Sequence, residues 1–377
     1  MIKPKYLYID DELNNTTDES VEAVRDGFND VGLIHVDVDE PKDFKSQKKE
    51  LLEKLKEYDG IILDLRLDQN MKLDVSYNAP AIAQELRTAV PNPDDHLKPC
   101  PIILCSTDER MRATYDADQT SHDLFDYKFL KGSEPDWVRF SMKLKSLADG
   151  YNWLRDKNRS FNEILGRQDL TGVDLRVAER FEDPDNKNVT IYDYANFIIK
   201  DVFHHPGPLI KERVVASRLG IDIEGSGESW ITLRDKSLSE FKYSGVFSSG
   251  WDRWWSDKIM NFFKEISGNK RLGTLCAKDR VDIISSHFNM EGLKAASPIE
   301  YCTSSKFWTI CEASKRPLDP LEGFKVFEST DLKGWQEPKY LSFNAIAIEG
   351  LPPNRGLRPQ RSELIRIQLM KESLSKK

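Results

Sequence analysis

The chain has 377 residues, of which 39% are apolar and 31% charged, and its formal net charge is −8. This length exceeds one typical domain, and the composition is that of a globular protein rather than a fibrous or disordered one. It contains no apolar stretch near the ~20 residues that span a bilayer and no CxxC pair among its five cysteines, and its first residues lack the longer apolar stretch expected of a signal peptide. We therefore expect a cytoplasmic protein with no membrane partner, zinc site or disulfide framework.

Strand and helix patterns alternate along the first 150 residues. Short apolar strands are expected at Tyr6–Ile9, Leu33–Val38, Gly60–Leu65, Ile102–Cys105 and Phe129–Leu130. Helical patterns occur at Ser20–Val31, Phe44–Tyr58, Ala81–Val90, Met111–Ala117 and Trp137–Tyr151. This alternation predicts an α/β domain over residues 1–150, with a doubly wound sheet of five parallel strands and helices on both faces.

The rest of the chain has a different pattern. Residues 151–188 predict a helical stalk and linker, and residues 189–377 predict a mixed α+β effector or interaction domain. In the latter we expect a helix at Trp251–Ile266, with Trp251 and Trp255 on one face, and a strand at Leu341–Ile348. Residues 1–150 hold 31 acidic against 20 basic residues, and the remainder 32 against 35. This asymmetry favours two domains with different tasks, but it is not the composition of a nucleic-acid-binding protein.

Polar side chains stand at the carboxyl ends of four predicted strands. Asp10 and Asp11 follow the first strand, Asp64 ends the third, Ser106 follows the fourth and Lys131 follows the fifth. The carboxyl ends of neighbouring parallel strands face one crevice, so these side chains are expected to meet there. Three carboxylates, a hydroxyl and an ammonium group suffice to hold Mg²⁺ and a phosphoryl group.

This order of residues resembles that of a response-regulator receiver domain over about residues 4–145. The resemblance implies a flavodoxin-like fold in which Asp64 accepts a phosphoryl group from a histidine kinase. Ser106 would bond a phosphoryl oxygen, and Lys131 would pair with the phosphate. The resemblance also implies a set of Mg²⁺ ligands: Asp10, Asp11, Asp64 and the backbone carbonyl of Arg66.

The sequence departs from the receiver pattern at several points, among them Gly132, which follows Lys131 where proline is usual. Ser106 lies 42 positions after Asp64, a spacing longer than is usual in that family. A shifted alignment makes Lys128 the phosphate-pairing lysine, with Phe125 as the aromatic switch residue. We prefer Lys131 because the apolar strand runs directly into it.

Three hypotheses for the function stay open at this point. The first is a signalling protein whose phosphorylated receiver controls the C-terminal domain, with a histidine kinase or an ATPase-type protein as partner and a homodimer as a further arrangement. Under this first hypothesis we expect no enzymatic activity beyond phosphoryl acceptance and autodephosphorylation. A looser likeness to regulators of bacterial anti-phage gene clusters would place it in defence or stress signalling. The second is a receiver-regulated hydrolase, and the third a transcription regulator that binds DNA through its C-terminal domain.

Overall fold

The structure is a computed structural model. It describes residues 3–12, 20–68, 75–89, 98–107, 111, 123–132, 135–155, 160–179, 189–352 and 356–375. The predicted helix at Met111–Ala117 lies, except for its first residue, outside the described residues.

Five parallel strands form one sheet in the order β2-β1-β3-β4-β5. Their bounds are β1 Lys5–Ile9, β2 His35–Asp39, β3 Gly60–Asp64, β4 Ile102–Thr107 and β5 Tyr127–Lys131. The central strand β3 is buried along its whole length, which explains why its sequence is a continuous apolar run rather than an alternating one. The predicted α/β fold with five parallel strands is confirmed.

Helices cover both faces of this sheet. They are α1 Val21–Val31, α2 Phe44–Lys54, α3 Ala79–Ala89 and α4 Trp137–Leu154. Because side chains alternate along a strand, Leu7 and Ile9 pack into one core with apolar residues of α2 and α3. Tyr6 points to the opposite face, where its hydroxyl donates a 2.6 Å hydrogen bond to the carbonyl of Leu144 in α4.

The first two of these helices begin at ordinary sequence signals. Ser20 caps α1 by accepting a hydrogen bond from the backbone N–H of Ala23, and Gly32 ends it in the left-handed conformation. Asp43 caps α2 by accepting a hydrogen bond from the backbone N–H of Ser46. These caps explain why the predicted starts of α1 and α2 agree closely with the observed ones.

The chain divides into two compact units, and neither is one continuous stretch. Unit 1 comprises residues 1–164, 187–199 and 245–251, and unit 2 comprises residues 165–186, 200–244 and 252–377. The expected division at residues 150 and 188 treats each domain as continuous, so it did not anticipate that two later segments belong with the sheet.

Both added segments of unit 1 pack closely within it. The helix α6, Ile191–Asn196, follows a short helix α5, Phe161–Leu165, and it begins with a capping box between Thr190 and Asp193. The second segment, residues 245–251, lies against α4. There the hydroxyl of Ser146 donates to the carbonyl of Phe247 at 2.9 Å.

Unit 2 combines short helices with three two-stranded sheets. The described helices are α7 Glu212–Leu219, α8 Ile223–Ser226, α9 Glu228–Thr232, α10 Ser256–Ile266, α11 Ala277–Phe288 and α12 Leu364–Ser375. The strands pair as β6 Leu209–Ile210 with β7 Trp254–Trp255, β8 Thr309–Ile310 with β9 Pro317–Leu318, and β10 Phe324–Lys325 with β11 Tyr340–Leu341. One of its hydrophobic cores contains the buried side chains of Trp230, Trp254 and Phe263.

Two predicted elements of this half are wrong in part. The expected helix at Trp251–Ile266 begins only at Ser256, because Trp254 and Trp255 form β7 with Leu209 and Ile210. The expected strand at Leu341–Ile348 ends after Leu341, and a turn of π-helix follows at Ala345–Glu349. Within the described residues, no helix has the length and apolar character that crossing a membrane requires.

Candidate functional site

The sheet register places the predicted site residues at one edge. Ile9 lies beside Leu63, so Asp10 and Asp64 leave neighbouring strands at the same level. Thr107 pairs with Lys131, which brings the end of β5 to the same level as the end of β4. All five predicted side chains, those of Asp10, Asp11, Asp64, Ser106 and Lys131, are buried.

Three carboxylates meet at this edge. One oxygen from each of Asp10, Asp11 and Asp64 lies within 4.8 Å of the other two. Their side chains are almost completely removed from solvent. Clustered buried carboxylates repel one another and lose hydration, so the site requires a cation.

Lys131 supplies that cation. Its Nζ lies 2.5 Å from Oδ2 of Asp10 and 2.8 Å from Oδ1 of Asp64. The contact with Asp10 is a hydrogen bond, and the contact with Asp64 is an ion pair. Burial lowers the pKa of Lys131, but the negative charges around it, that of Asp64 above all, outweigh burial and raise this pKa above its usual value.

Both oxygens of Asp10 are engaged. Oδ2 accepts hydrogen bonds from Lys131 and, at 2.5 Å, from the hydroxyl of Tyr8. Oδ1 accepts a 2.9 Å hydrogen bond from the backbone N–H of Glu12. Asp10 is therefore the most fully bonded of the three carboxylates in its described contacts, and Lys131 would have to leave it before Oδ2 could take a new ligand.

Asp64 is held less completely. Its Oδ2 accepts a 2.9 Å hydrogen bond from the backbone N–H of Arg66, and the side chain of Arg66 turns away to pair with Asp68. Burial raises the pKa of Asp64 to about 6, with Lys131 opposing the shift and Asp10 adding to it. The single lysine thus compensates only part of the cost of the charge on Asp64. The expected role of the Arg66 carbonyl as a metal ligand stays a prediction.

Ser106 has an unusual position for a hydroxyl. Its side chain is fully buried, and within the described part of the chain its Oγ has no hydrogen-bond partner. A buried hydroxyl that lacks a partner costs about 1–3 kcal/mol, which a ligand oxygen beside it would recover.

The two lysines of the predicted alternatives lie on opposite sides of β5. Lys131 points into the acidic group, whereas the side chain of Lys128 is exposed to solvent. The alternation of side chains along a strand separates them, since they are three residues apart.

The sequence reasoning missed Tyr8 and Cys105. The Tyr8 hydroxyl holds Asp10 and lies 3.9 Å from Sγ of Cys105. Burial raises the pKa of both groups, so each stays protonated. The signal for Tyr8 was present in the sequence, because residues two apart on a strand share a face and Tyr8 precedes Asp10 by two.

These residues fit Mg²⁺ and a phosphoryl oxygen. Mg²⁺ prefers oxygen ligands and is commonly bound by one or two carboxylates, which Asp11 and Asp64 provide without disturbing the bonds of Asp10. Ser106 stands one residue beyond Cys105, which is paired with Asp64 across the sheet, and its hydroxyl has no hydrogen-bond partner within the described residues. Comparison of the chain with protein-family models, curated proteins and solved structures found no match.

Proposed function

We propose that unit 1 is a receiver domain that accepts a phosphoryl group on Asp64. The observation that carries this proposal is the buried group of three carboxylates with Lys131 paired to two of them. The strand order β2-β1-β3-β4-β5 also supports it, because this is the order of flavodoxin-like doubly wound sheets, which bind ligands at the carboxyl ends of their strands.

The proposed reaction is a phosphoryl transfer from a phosphohistidine of a kinase partner. A carboxylate oxygen of Asp64 attacks phosphorus, a P–O bond forms, the P–N bond of the donor breaks, and the imidazole leaves. Mg²⁺, when bound, neutralises charge on the carboxylates and on the phosphoryl oxygens. Asp11 and Asp64 would hold it directly, and Asp10 would do so once Lys131 has released it, or through water.

The other residues have roles that follow from their contacts. Lys131 pairs with Asp10 and Asp64 and offsets part of their negative charge. A cation bound at the carboxylates would free the ammonium to pair with a phosphoryl oxygen. The Ser106 hydroxyl would donate a hydrogen bond to a second phosphoryl oxygen. This bond would satisfy the hydroxyl, which has no partner among the described residues.

A structural change caused by phosphorylation would reach unit 2 along the polypeptide chain. Lys131 ends β5, and Tyr127 begins it. The ring of Tyr127 contacts that of Trp251, with centroids 6.1 Å apart, and Trp251 is the last residue of the segment that continues into unit 2 at Asp252. A shift of β5 toward a phosphoryl group would therefore be transmitted to this segment, in line with control of a C-terminal effector. The five free cysteines fit the reducing cytoplasm in which we place this signalling.

Labelling with ³²P-acetyl phosphate and Mg²⁺ tests the proposal on the full chain. The wild type and the control Asp68→Asn, which changes an exposed aspartate four residues away, should be labelled equally. Asp64→Asn should abolish labelling, and so should removal of Mg²⁺ with EDTA. Undiminished labelling of Asp64→Asn would show that Asp64 is not the phosphoacceptor.

A further inference from the structure

The helix α12 of unit 2 has apolar side chains on two of its sides. Six of its twelve residues are apolar, and they do not fall on a single face. One set, Ile367, Met370 and Leu374, recurs at the spacing of one helical face and packs with Phe324 and Phe343 in a hydrophobic core of unit 2. This set is the inner side of the helix and accounts for half of its apolar side chains.

The outer side of α12 has apolar side chains that solvent reaches. Ile365 and Leu369 lie one turn apart and are 75% and 60% exposed. They belong to a shallow groove of about 500 Å³, which is lined by six residues of α12 and of the turn directly before it: Ser362, Ile365, Arg366, Leu369, Met370 and Ser373. A groove with one helix as its wall has the shape that a second helix fills, and exposed neighbouring apolar side chains are typical of an interaction surface.

The charge of Arg366 does not interrupt this apolar surface. Its guanidinium donates hydrogen bonds to the carbonyls of Gly323 at 2.8 Å and of Leu321 at 3.0 Å, and it lies 4.3 Å from the ring centroid of Phe324. The charged end is therefore held against this loop, and the aliphatic part of the side chain is left to line the groove. The same contacts place Leu321, which is 84% exposed, next to the helix.

The charges along the outer side of α12 indicate what fits this surface. One line along the helix and the turn before it contains, at spacings of four, four and three residues, Arg361, Ile365, Leu369 and Glu372. A basic residue thus precedes the apolar pair, and an acidic residue follows it. In an antiparallel pair of such helices related by a two-fold axis, Arg361 of each copy faces Glu372 of the other, and Ile365 faces Leu369. A parallel pair would instead place like charges opposite each other, which is unfavourable.

We propose that the outer side of α12 is a dimerisation surface, on which a second copy of this chain packs its own α12 in the antiparallel direction. The order of basic, apolar and acidic residues along this side is complementary to itself, which favours a second copy over an unrelated partner. Two helices of this length bury less than the ~1,600 Å² of a standard interface, so we expect a weak dimer with a micromolar dissociation constant. The proposal does not depend on phosphorylation of Asp64.

Sedimentation equilibrium of the full chain at about 1–200 µM protein tests the dimer. The wild type should show a concentration-dependent equilibrium between monomer and dimer. Ile365→Glu should raise the dissociation constant at least about 100-fold, because each dimer would bury two carboxylates in an apolar contact. The control Leu175→Glu changes another highly exposed leucine of unit 2 and should dimerise as the wild type does. A wild type that stays monomeric over this range, or equal dissociation constants for Ile365→Glu and Leu175→Glu, would overturn the proposal.

Charge reversal tests the antiparallel direction of the two helices. Arg361→Glu and Glu372→Arg each place like charges opposite one another between the copies, so each should raise the dissociation constant about 5-fold or more. The double variant restores opposite charges and should dimerise within about 2-fold of the wild type. The two positions are about 16 Å apart along one helix, too far to pair within one chain, so this recovery would arise between copies. A double variant that dimerises no more tightly than the single variants would overturn the antiparallel arrangement.

Discussion

The negative charge on the buried side chain of Asp64 is energetically unfavourable when no metal ion is bound. Three carboxylates are buried together at this site, and the buried ammonium group of Lys131 pairs with those of Asp10 and Asp64. The pKa of Asp64 is raised to about 6, mainly by burial, so the fold disfavours its charged form at neutral pH even with Lys131 beside it. Such local destabilisation is common where a site must be ready for a ligand, and it can be measured by neutralising the charge.

We expect Asp64→Asn to stabilise unit 1 by about 1–3 kcal/mol in EDTA, because each unit of pKa shift corresponds to about 1.4 kcal/mol. Hydrogen exchange of the β3 and β4 amides reports this free energy for unit 1 alone. Mg²⁺ should slow exchange in the wild type but have little effect on Asp64→Asn. The control Asp68→Asn should change the free energy by no more than about 0.5 kcal/mol. Faster exchange of Asp64→Asn than of the wild type in EDTA would contradict the expectation.

The meeting of the site residues could be predicted from the sequence, whereas their individual bonds could not. Parallel strands bring their carboxyl ends to one edge, so placing Asp10, Asp64 and Lys131 there required only the strand assignments. The saturation of Asp10 depends on which oxygen faces Tyr8 and which faces Lys131. Such details follow from tertiary packing and have no signature in the spacing of residues.

Gly150 shows how one helix of unit 1 is adapted to the segment that it binds. Glycine inside a helix is about 1 kcal/mol less favourable than alanine. Gly150 nevertheless lies within α4, and a Cβ built on it would come within 2.3 Å of the ring of Phe247. Phe247 itself has a φ of 66°, a backbone conformation that residues other than glycine rarely adopt. Both features favour close contact between α4 and residues 245–251.

We expect Gly150→Ala to destabilise the packing of residues 245–251 on α4, although the substitution raises helix propensity. The clash with Phe247 should cost about 1–3 kcal/mol and thus exceed the gain of about 1 kcal/mol. Hydrogen exchange of residues 245–251 should therefore accelerate in the variant.

Gly273→Ala is the matched control for this change. Its added Cβ would meet only a side-chain atom of Trp308 at 3.9 Å, an ordinary contact, so exchange in residues 245–251 should not change. Exchange in Gly150→Ala that equals the wild type would show that the segment does not depend on this contact.

The elements of the sheet domain were predictable because local signals and packing agree there. Predicted and observed strands overlap for all five, and the helices α1 to α4 each overlap a predicted one. In the second half the signals conflict. The spacing of Trp251 and Trp255 is helical, yet the two residues belong to different units and Trp255 pairs in a two-residue strand. Strands of two residues are formed by tertiary contacts, which periodicity cannot report.

At the scale of the whole molecule, each unit depends on stretches that are distant in the sequence. Residues 187–199 and 245–251 belong to unit 1 but are flanked on both sides by residues of unit 2. Their buried apolar side chains include those of Phe197, Ile198, Val246 and Phe247. In addition, the guanidinium of Arg87 lies 4.0 Å from the ring centroid of Tyr192. Unit 1 therefore cannot be obtained whole as an N-terminal fragment.

We expect a fragment of residues 1–164 to contain the sheet but to be less stable than unit 1 in the full chain. Each fully buried side chain of this size contributes about 1.5–3 kcal/mol, so loss of the two segments should lower the free energy of opening by several kcal/mol. Hydrogen exchange of the β4 amides measures this difference. Fragments of residues 1–199 and 1–251, which restore first one segment and then both, should recover protection in that order. Protection of β4 in residues 1–164 equal to that in the full chain would mean that the later segments bind to a domain already complete without them.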